Sequence, residues 1–270
     1  ADAEDTNLIK APDDPVRNEL YFDPNEMTET FDPVGVQAYL WSGEGEWNWF
    51  TDIRPVQTVN FEENYFTLAP SRGYKIGKGS RYYLQGALAF LDEPGEFCIK
   101  DGLLYYMPYA DNIENAVITA PVSERLLEIC GTSGDEPVTG LEFNGITFQN
   151  SDFPDGYLVP PENDDAESAR QGLVHLENAE GNRIVNCTVK HAGTNGIMLN
   201  RFAVGNEIIG NRIEEVGFNG IYLAGWFENS GPNVNRANVI ENNWIARGGR
   251  LVGHGSGIQL AFSGNNRISH

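Results

Sequence analysis

Beyond Gly140 the chain repeats one pattern of apolar and polar positions. Asn182-Arg183-Ile184-Val185-Asn186-Cys187-Thr188-Val189, Asn206-Glu207-Ile208-Ile209-Gly210-Asn211-Arg212-Ile213 and Asn238-Val239-Ile240-Glu241-Asn242-Asn243-Trp244-Ile245 can be laid over one another, and Asn266-Arg267-Ile268-Ser269-His270 begins a fourth copy. Each full copy is followed by a glycine (Gly193, Gly217, Gly249) and then by a second run opening with Gly-Ile, at Gly196, Gly220 and Gly257. The pattern predicts that two strands and their turns make one coil. The first two copies start 24 residues apart, within the range of solenoid repeats, and the run from Leu141 to Phe148 fits an earlier coil. Stacked coils would place Ile184, Ile208, Ile240 and Ile268 above one another in a dry interior that none could form alone. The recurring Asn residues read as structural, because Asn tolerates left-handed backbone and its amide can bond both its own turn and the next coil.

Upstream, from Glu19 to about Gly140, short aromatic and β-branched runs alternate with turn signals, as at 36–40, 54–60 and 103–107. This predicts a β-rich, sandwich-like accessory unit. One helix is expected within it, over 80–92, with Ser80 as its N-cap and Leu84, Leu88 and Leu91 on one face. Residues 1–18 are acidic, contain Pro12 and Pro15 and lack periodicity, so they read as a flexible arm. The resulting organisation is an arm (1–18), an accessory subdomain (19–140) and a right-handed parallel β-helix (141–270), open and incomplete at its C-terminal end. An open end exposes an unpaired strand edge, to be covered by missing coils of the same protein or by another copy.

The formal charge of −21, from 39 acidic and 18 basic residues, offers no footprint for nucleic acid or an anionic membrane. No apolar run approaches the roughly 18 residues of a membrane span, and residues 1–14 lack the regions of a signal peptide. Cys98, Cys130 and Cys187 are too few and scattered for a zinc site or a disulfide framework, and one pair at most could bridge.

In a solenoid, insertions fall in loops, commonly on the binding face. Eighteen residues separate Gly220 from Asn238, against 10 between Gly196 and Asn206, so the stretch containing Trp226, Phe227, Glu228 and Asn229 is inserted. A second insertion, over 248–256, contains Arg250 and His254. Trp226 could stack on a sugar ring, with Arg250 and Gln259 bonding hydroxyls; alternatively Trp226 and Phe227 cap an apolar strip of the coil. Asn195 and His270 complete the expected substrate contacts. Glycoside hydrolysis needs two carboxyl groups across the scissile bond. Among the coil acids (Glu177, Glu180, Glu207, Glu214, Glu215, Glu228 and Glu241), Glu215 and Glu228 lie nearest the inserted loops and are the catalytic candidates, with His254 beside them. A polysaccharide lyase would need an Arg or Lys base and a cation, calcium above all; Lys190, Arg201, Arg212 and Arg247 have no acidic cluster alongside. No metal site and no cofactor are expected otherwise.

Three stretches carry a family resemblance: Arg81-Tyr82-Tyr83-Leu84 through Phe97 with Leu104-Tyr105-Tyr106-Met107-Pro108, the segment from Trp41 to Trp49, and Gly249-Arg250-Leu251 through Gln259-Leu260 into His270. On these the chain resembles the β-helix glycoside hydrolases of the pectate-lyase-like superfamily, in particular glycoside hydrolase family 141 and its relatives. The resemblance implies an inserted β-rich subdomain and hydrolysis of plant or algal cell-wall glycans, with fucosidase and xylanase activities both represented. It also implies a secreted or periplasmic protein, further coils after His270, and an acidic catalytic pair largely within those later coils. Gln85-Gly86 and Phe97-Cys98 depart from the acidic-amide and Trp-Tyr pairs of the family. The alternatives are a lyase or epimerase on a uronate polymer, and a non-catalytic glycan-binding module.

Overall fold

The computed structural model describes residues 18–25, 27, 31–42, 51–70, 75–77, 79–109, 113–154, 170–226 and 231–270. The expected arm up to residue 17, Trp47 and Trp49, and Phe227, Glu228 and Asn229 lie outside the described residues. The chain divides into two compact units, with the main break between Thr119 and Ala120.

The first unit is built on a five-stranded antiparallel sheet: Glu19–Tyr21, Tyr65–Leu68, Thr51–Asn60, Gln37–Trp41 and Arg81–Gln85, in that spatial order. Alternation within the strands sends Ala38, Leu40, Phe66 and Leu68 to one face, where they pack with Leu20, Phe22, Val36, Val56 and Ile76 into a core. A separate two-stranded hairpin joins Phe97–Lys100 to Leu103–Tyr106. Among the described residues the unit is thus one sheet and a hairpin, with no second layer of strands.

The helix expected over 80–92 does not form. Arg81–Gln85 is the edge strand of this sheet, paired antiparallel with Gln37–Trp41, and only Leu88–Phe90 turns, as a single 3-10 turn. The aromatic pair Tyr82-Tyr83 favours a pleated surface, and Tyr82 and Leu84 both pack on the core, which a strand achieves with period two. Gly86 then ends the run at φ 92°, with the Gly35 carbonyl oxygen 2.4 Å from where a Cβ would stand, so no other residue fits. Ser80 caps no helix; its hydroxyl accepts from the Gly77 N–H at 3.1 Å.

The second unit is a stack of coils with three parallel sheets. A seven-stranded sheet runs Ile258–Ala261, Ile221–Ala224, Asn195–Val204, Gly172–Glu180, Leu127–Cys130, with Asn235–Arg236 and Val138–Thr139 paired alongside. A five-stranded sheet contains Glu142–Asn144, Arg183–Val185, Glu207–Ile209, Val239–Glu241 and Arg267–Ser269, and a four-stranded sheet Thr147–Gln149, Thr188–Ala192, Arg212–Val216 and Trp244–Ala246. The parallel stacking reaches back to Leu127, upstream of the expected start at Leu141.

Each coil therefore has three strands, not two. The run starting at Asn182 is broken where Asn186 takes a left-handed conformation (φ 52°), and Gly145, Gly210 and Asn242 occupy the stacked positions of other coils at φ 71°, 69° and 55°. Gly and Asn are the residues for which such a corner costs least. The Asn ladders run where the repeat placed them. The Asn206 side-chain oxygen accepts from the backbone N–H (3.0 Å) and amide (3.2 Å) of Asn182, and its own amide donates to the Ala179 carbonyl at 3.0 Å. Asn238 does the same for Asn206, and Asn266 for Asn238. A second ladder joins Cys187, Asn211 and Asn243, and a third joins Asn195 and Asn219. Inside, Ile184, Ile208 and Ile240 are at most 1% exposed, while Ile268 in the last coil is 45% exposed. Cys98, Cys130 and Cys187 are free thiols.

Replacing Asn206 by Ala would strand the Asn182 N–H and the Ala179 carbonyl in a dry interior. Leaving such groups unmade costs about 1–3 kcal/mol each, so Asn206→Ala is expected to lower unfolding stability by roughly 2–4 kcal/mol in a urea titration. A loss below about 0.5 kcal/mol would show that the ladder is ornamental.

Candidate functional site

The outer face of the seven-stranded sheet carries a connected cluster of polar side chains. Strand alternation turns Val174, Leu176, Ile197, Leu199, Ile221 and Leu223 into the core and leaves the intervening residues outside. Parallel register aligns these outward residues in two rows: Glu128, His175, Met198, Tyr222 and Gln259 in one, and Cys130, Glu177, Asn200, Ala224 and Ala261 in the other. His175, Met198, Asn200, Tyr222 and Ala224 are nevertheless at most 1% exposed, whereas the side chains of Glu177 and Glu128 are 21% and 55% exposed.

Glu177 is the hub. Its carboxylate accepts from the Asn200 amide at 2.8 Å, faces His175 Nε2 at 3.4 Å, and pairs with Arg201 at 3.3 Å. The bond from His175 is the main reason its pKa falls to about 2, against the opposing effect of burial, with Asn200 and Arg201 adding to the fall. His175 itself is pushed below its usual range, chiefly by burial, despite the pull of Glu177. The pair is therefore a neutral imidazole donating Nε2–H to an anion, not an ion pair, and Nδ1 is left as a buried acceptor with no hydrogen-bond partner among the described residues. Asn200 is held in turn by Arg170, whose guanidinium donates to the Asn200 side-chain oxygen (2.8 Å) and to the carbonyls of Ala224 and Gly225. The same guanidinium lies 5.0 Å from the centroid of the Trp226 ring. At the other end, Arg125 bonds Gln171 (2.6 Å) and Glu128 (3.3 Å).

The structure separates the residues expected to act together. Glu215 lies in the strand Arg212–Val216, and Arg250 and His254 in the loop 248–256 that bonds to Val216, Gly217 and Phe218 just before the strand Ile221–Ala224, while Trp226 follows the far end of that strand, so about 13 Å of strand lies between them. Glu215 is engaged by both Arg247 and Arg250, the latter at 3.1 Å, within a surface network that includes Glu214 and Arg212. The inserted loop 248–256 is stitched to the previous coil by bonds from the N–H groups of Gly249, Arg250 and Leu251 to Phe218, Val216 and Gly217, and His254 stays exposed. Asn195, expected at the substrate, is fully buried and commits its amide to the Gln171 carbonyl (2.6 Å) and its oxygen to Asn219 (2.8 Å). His270 follows a strand of the five-stranded sheet, away from the two rows. Gln259 does stand in the His175 row, beside Tyr222. Glu228 lies outside the described residues.

His175, Asn200 and Arg170 were not anticipated, and Glu177 was ranked behind Glu215 and Glu228. A signal was present: in Val174-His175-Leu176-Glu177 polar and apolar residues alternate, and laying this run over Ile197-Met198-Leu199-Asn200 puts His175 and Glu177 on the outer face. Among the described residues no group of three or more His, Cys, Asp or Glu side chains converges as a metal site would.

A model of the right-handed β-helix region matches residues 112–270, more than half of the chain. The chain belongs to the right-handed β-helix family. A search of curated proteins finds no match. Among solved structures this β-helix protein is similar to a protein titled "Glycoside hydrolase", with a TM-score of 0.68 and 19% identity; the alignment covers 93% of this chain and 52% of that one. At that identity the likeness is one of fold, and the chain spans about half the length of this neighbour.

A carboxylate whose pKa is depressed on folding adds stability above its unfolded value, near 4.5, and loses it as pH falls through the folded value of about 2. For Glu177 that is at most about 3 kcal/mol. Between pH 5 and pH 2 the wild-type protein is expected to lose more stability than Glu177→Gln, measured by parallel denaturant titrations. Parallel losses would remove Glu177 from the acid-sensitive groups.

Proposed function

We propose that this β-helix protein acts on carbohydrate as a glycoside hydrolase, with a glycan bound where the side chains of Glu177 and Glu128 reach solvent on the outer face of the seven-stranded sheet. The observation that carries this reading is Glu177: a carboxylate kept ionised at neutral pH, oriented by an imidazole, an amide and a guanidinium, yet still reachable from solvent. That is what a carboxylate nucleophile requires.

Glu128 is the companion. It stands opposite His175 on the neighbouring strand, and so diagonal to Glu177. Sheet geometry separates such positions by about 8 Å at Cβ, of the order at which paired carboxyls work on a glycosidic bond, roughly 5–9.5 Å. In this assignment Glu177 attacks the sugar, neutral His175 holds Glu177 in place, and Glu128, paired with Arg125, is the nearest second carboxyl on that face. Trp226, fixed by Arg170 at the end of Ile221–Ala224, supplies an aromatic surface of the kind that packs on sugar rings. The neighbour titled glycoside hydrolase and the family 141 resemblance of the 81–108 and 249–270 stretches support the same chemistry. A plant or algal cell-wall glycan is the proposed substrate, and a secreted or periplasmic location is proposed with it.

The test is incubation with a panel of plant and algal polysaccharides, with products weighed by mass spectrometry. Products that have gained water are expected, and Glu177→Gln should slow their formation by about 100-fold or more. Unsaturated products would replace hydrolysis with β-elimination. Glycan binding without products would leave a binding module.

A further inference from the structure

The five-stranded antiparallel sheet of the first unit has a second face, opposite its core, and that face is aromatic. Ala38 and Leu40 point into the core, so Gln37, Tyr39 and Trp41 point away from it. Register places Tyr83 opposite Tyr39, Arg81 opposite Trp41 and Gln85 opposite Gln37, all on this outer face. The rings form one group. Tyr39 and Tyr83 stack at 4.9 Å with 9° between their planes, Trp41 lies 4.7 Å from Tyr39 and 5.9 Å from Tyr83, and the Arg81 guanidinium sits 5.3 Å over the Trp41 ring.

A sheet face turned from the core is normally polar, and aromatic side chains that reach solvent on it mark a contact surface. Tyr83 is 46% exposed, Arg81 is exposed and Trp41 is half-buried, while Tyr39, at 7%, is buried and supports them from within the sheet. Polar groups continue the aromatic strip along the strands. The Gln85 amide donates to Gln37 at 2.9 Å, a bond that uses one donor and one acceptor of a pair that has more. Beyond Gln37 the strip opens into a cleft of about 250 Å³ lined by Pro33, Val34, Gln37, Pro55 and Gln57. Partial burial pushes the Tyr83 phenol up to about 12, with Tyr39 adding to the shift, so its hydroxyl remains a hydrogen-bond donor across the neutral and alkaline range.

We infer that this face is a glycan-binding platform: Tyr83 and Trp41 pack against sugar rings, and Gln37, Gln85 and Arg81 bond hydroxyls of an uncharged, extended oligosaccharide running toward the cleft. The alternation of apolar ring faces with amide and guanidinium donors matches a sugar chain, which offers C–H faces flanked by hydroxyls. A protein partner of ordinary interface size would require a larger apolar core than the two accessible rings, Tyr83 and Trp41, provide. An anionic chain is disfavoured because Arg81 is the one cation of the group, and the chain as a whole carries −21. The inference goes beyond the hydrolase reading and does not depend on chemistry at Glu177.

The experiment uses the full chain carrying Glu177→Gln, so that ligand is not consumed and the proposed hydrolytic site is impaired. Cellohexaose, xylohexaose, mannohexaose and an oligogalacturonate are titrated in turn, with binding followed by calorimetry and by tryptophan fluorescence. Saturable binding of at least one neutral hexaose is expected, weakened tenfold or more by Tyr83→Ala and by Arg81→Ala. Both residues are exposed on an edge strand, so their removal leaves the core face intact, and an unchanged thermal midpoint will confirm folding; Trp41→Ala adds a third variant if it folds. Wild-type affinity in both the Tyr83 and Arg81 variants, binding of the oligogalacturonate alone, or no binding of any hexaose at millimolar concentration would each overturn the platform. Because the readout is binding in a Glu177→Gln background, a failed hydrolase assignment leaves it untouched.

Discussion

Everything in the β-helix depends on coil-to-coil register, and side-chain amides hold that register. In a parallel stack whose side chains alternate with period two, a slip of one residue would turn every core isoleucine outward and every outer residue inward. Backbone ladders alone do not forbid such a slip, since each rung is chemically alike. The Asn ladders do, because an Asn oxygen that receives both the N–H and the amide of the equivalent Asn in the next coil fits one alignment only. The ladder is indifferent to what lies between its rungs. Asn182 and Asn206 are 24 residues apart, Asn206 and Asn238 are 32, and Asn238 and Asn266 are 28, yet the bonds are equivalent. Insertions are absorbed in loops while the sheets stay aligned.

Register has a second consequence outside the core. Because outward residues also stack, charge can be paired between coils: Arg183 reaches Glu142 on one side and Glu207 on the other, and Arg267 reaches Glu241. These exposed pairs contribute little stability one at a time. They do show where many of the few basic residues of a strongly acidic chain are used. The rows of the seven-stranded sheet follow the same rule with a different result, since their outward residues are buried polar and apolar groups whose partners sit one coil away, as Asn200 is to Glu177 and Tyr222 to Gln259.

The coils were legible in the sequence because the stack is built from a repeat, and a repeat survives without knowledge of long-range contacts. Ile184, Ile208 and Ile240, and the Asn residues before them, needed only to be aligned. The third strand per coil was not legible, because the corner at Asn186, Gly210 and Asn242 is a single left-handed residue inside a run that reads as continuous. The helix expected over 80–92 failed for the opposite reason: a helical spacing of three leucines was present, but pairing with Gln37–Trp41 and the two-sided use of Tyr82, Tyr83 and Leu84 outweighed it. Candidate site residues were the hardest to read. Loop insertions drew attention to Glu215, Arg250 and His254, whereas Glu177 acquires its character from Asn200, His175 and Arg201, two of which lie in the next coil.

Arg170 shows why sequence distance hides such a site. A guanidinium at 1% exposure requires its donors to be used, since an unmade bond there costs more than the bond itself returns. Asn200 and the carbonyls of Ala224 and Gly225 use them, so one side chain fixes residues 30 to 55 positions away. Gly225 is required for this arrangement: a Cβ there would stand 2.3 Å from the Phe262 carbonyl oxygen, closing the turn from which its own carbonyl faces Arg170. The orientation of Asn200, which orients Glu177, and the placement of Trp226 thus share one support. A substitution at Arg170 would disturb the carboxylate and the aromatic surface together, a coupling that a list of residues near either would not reveal.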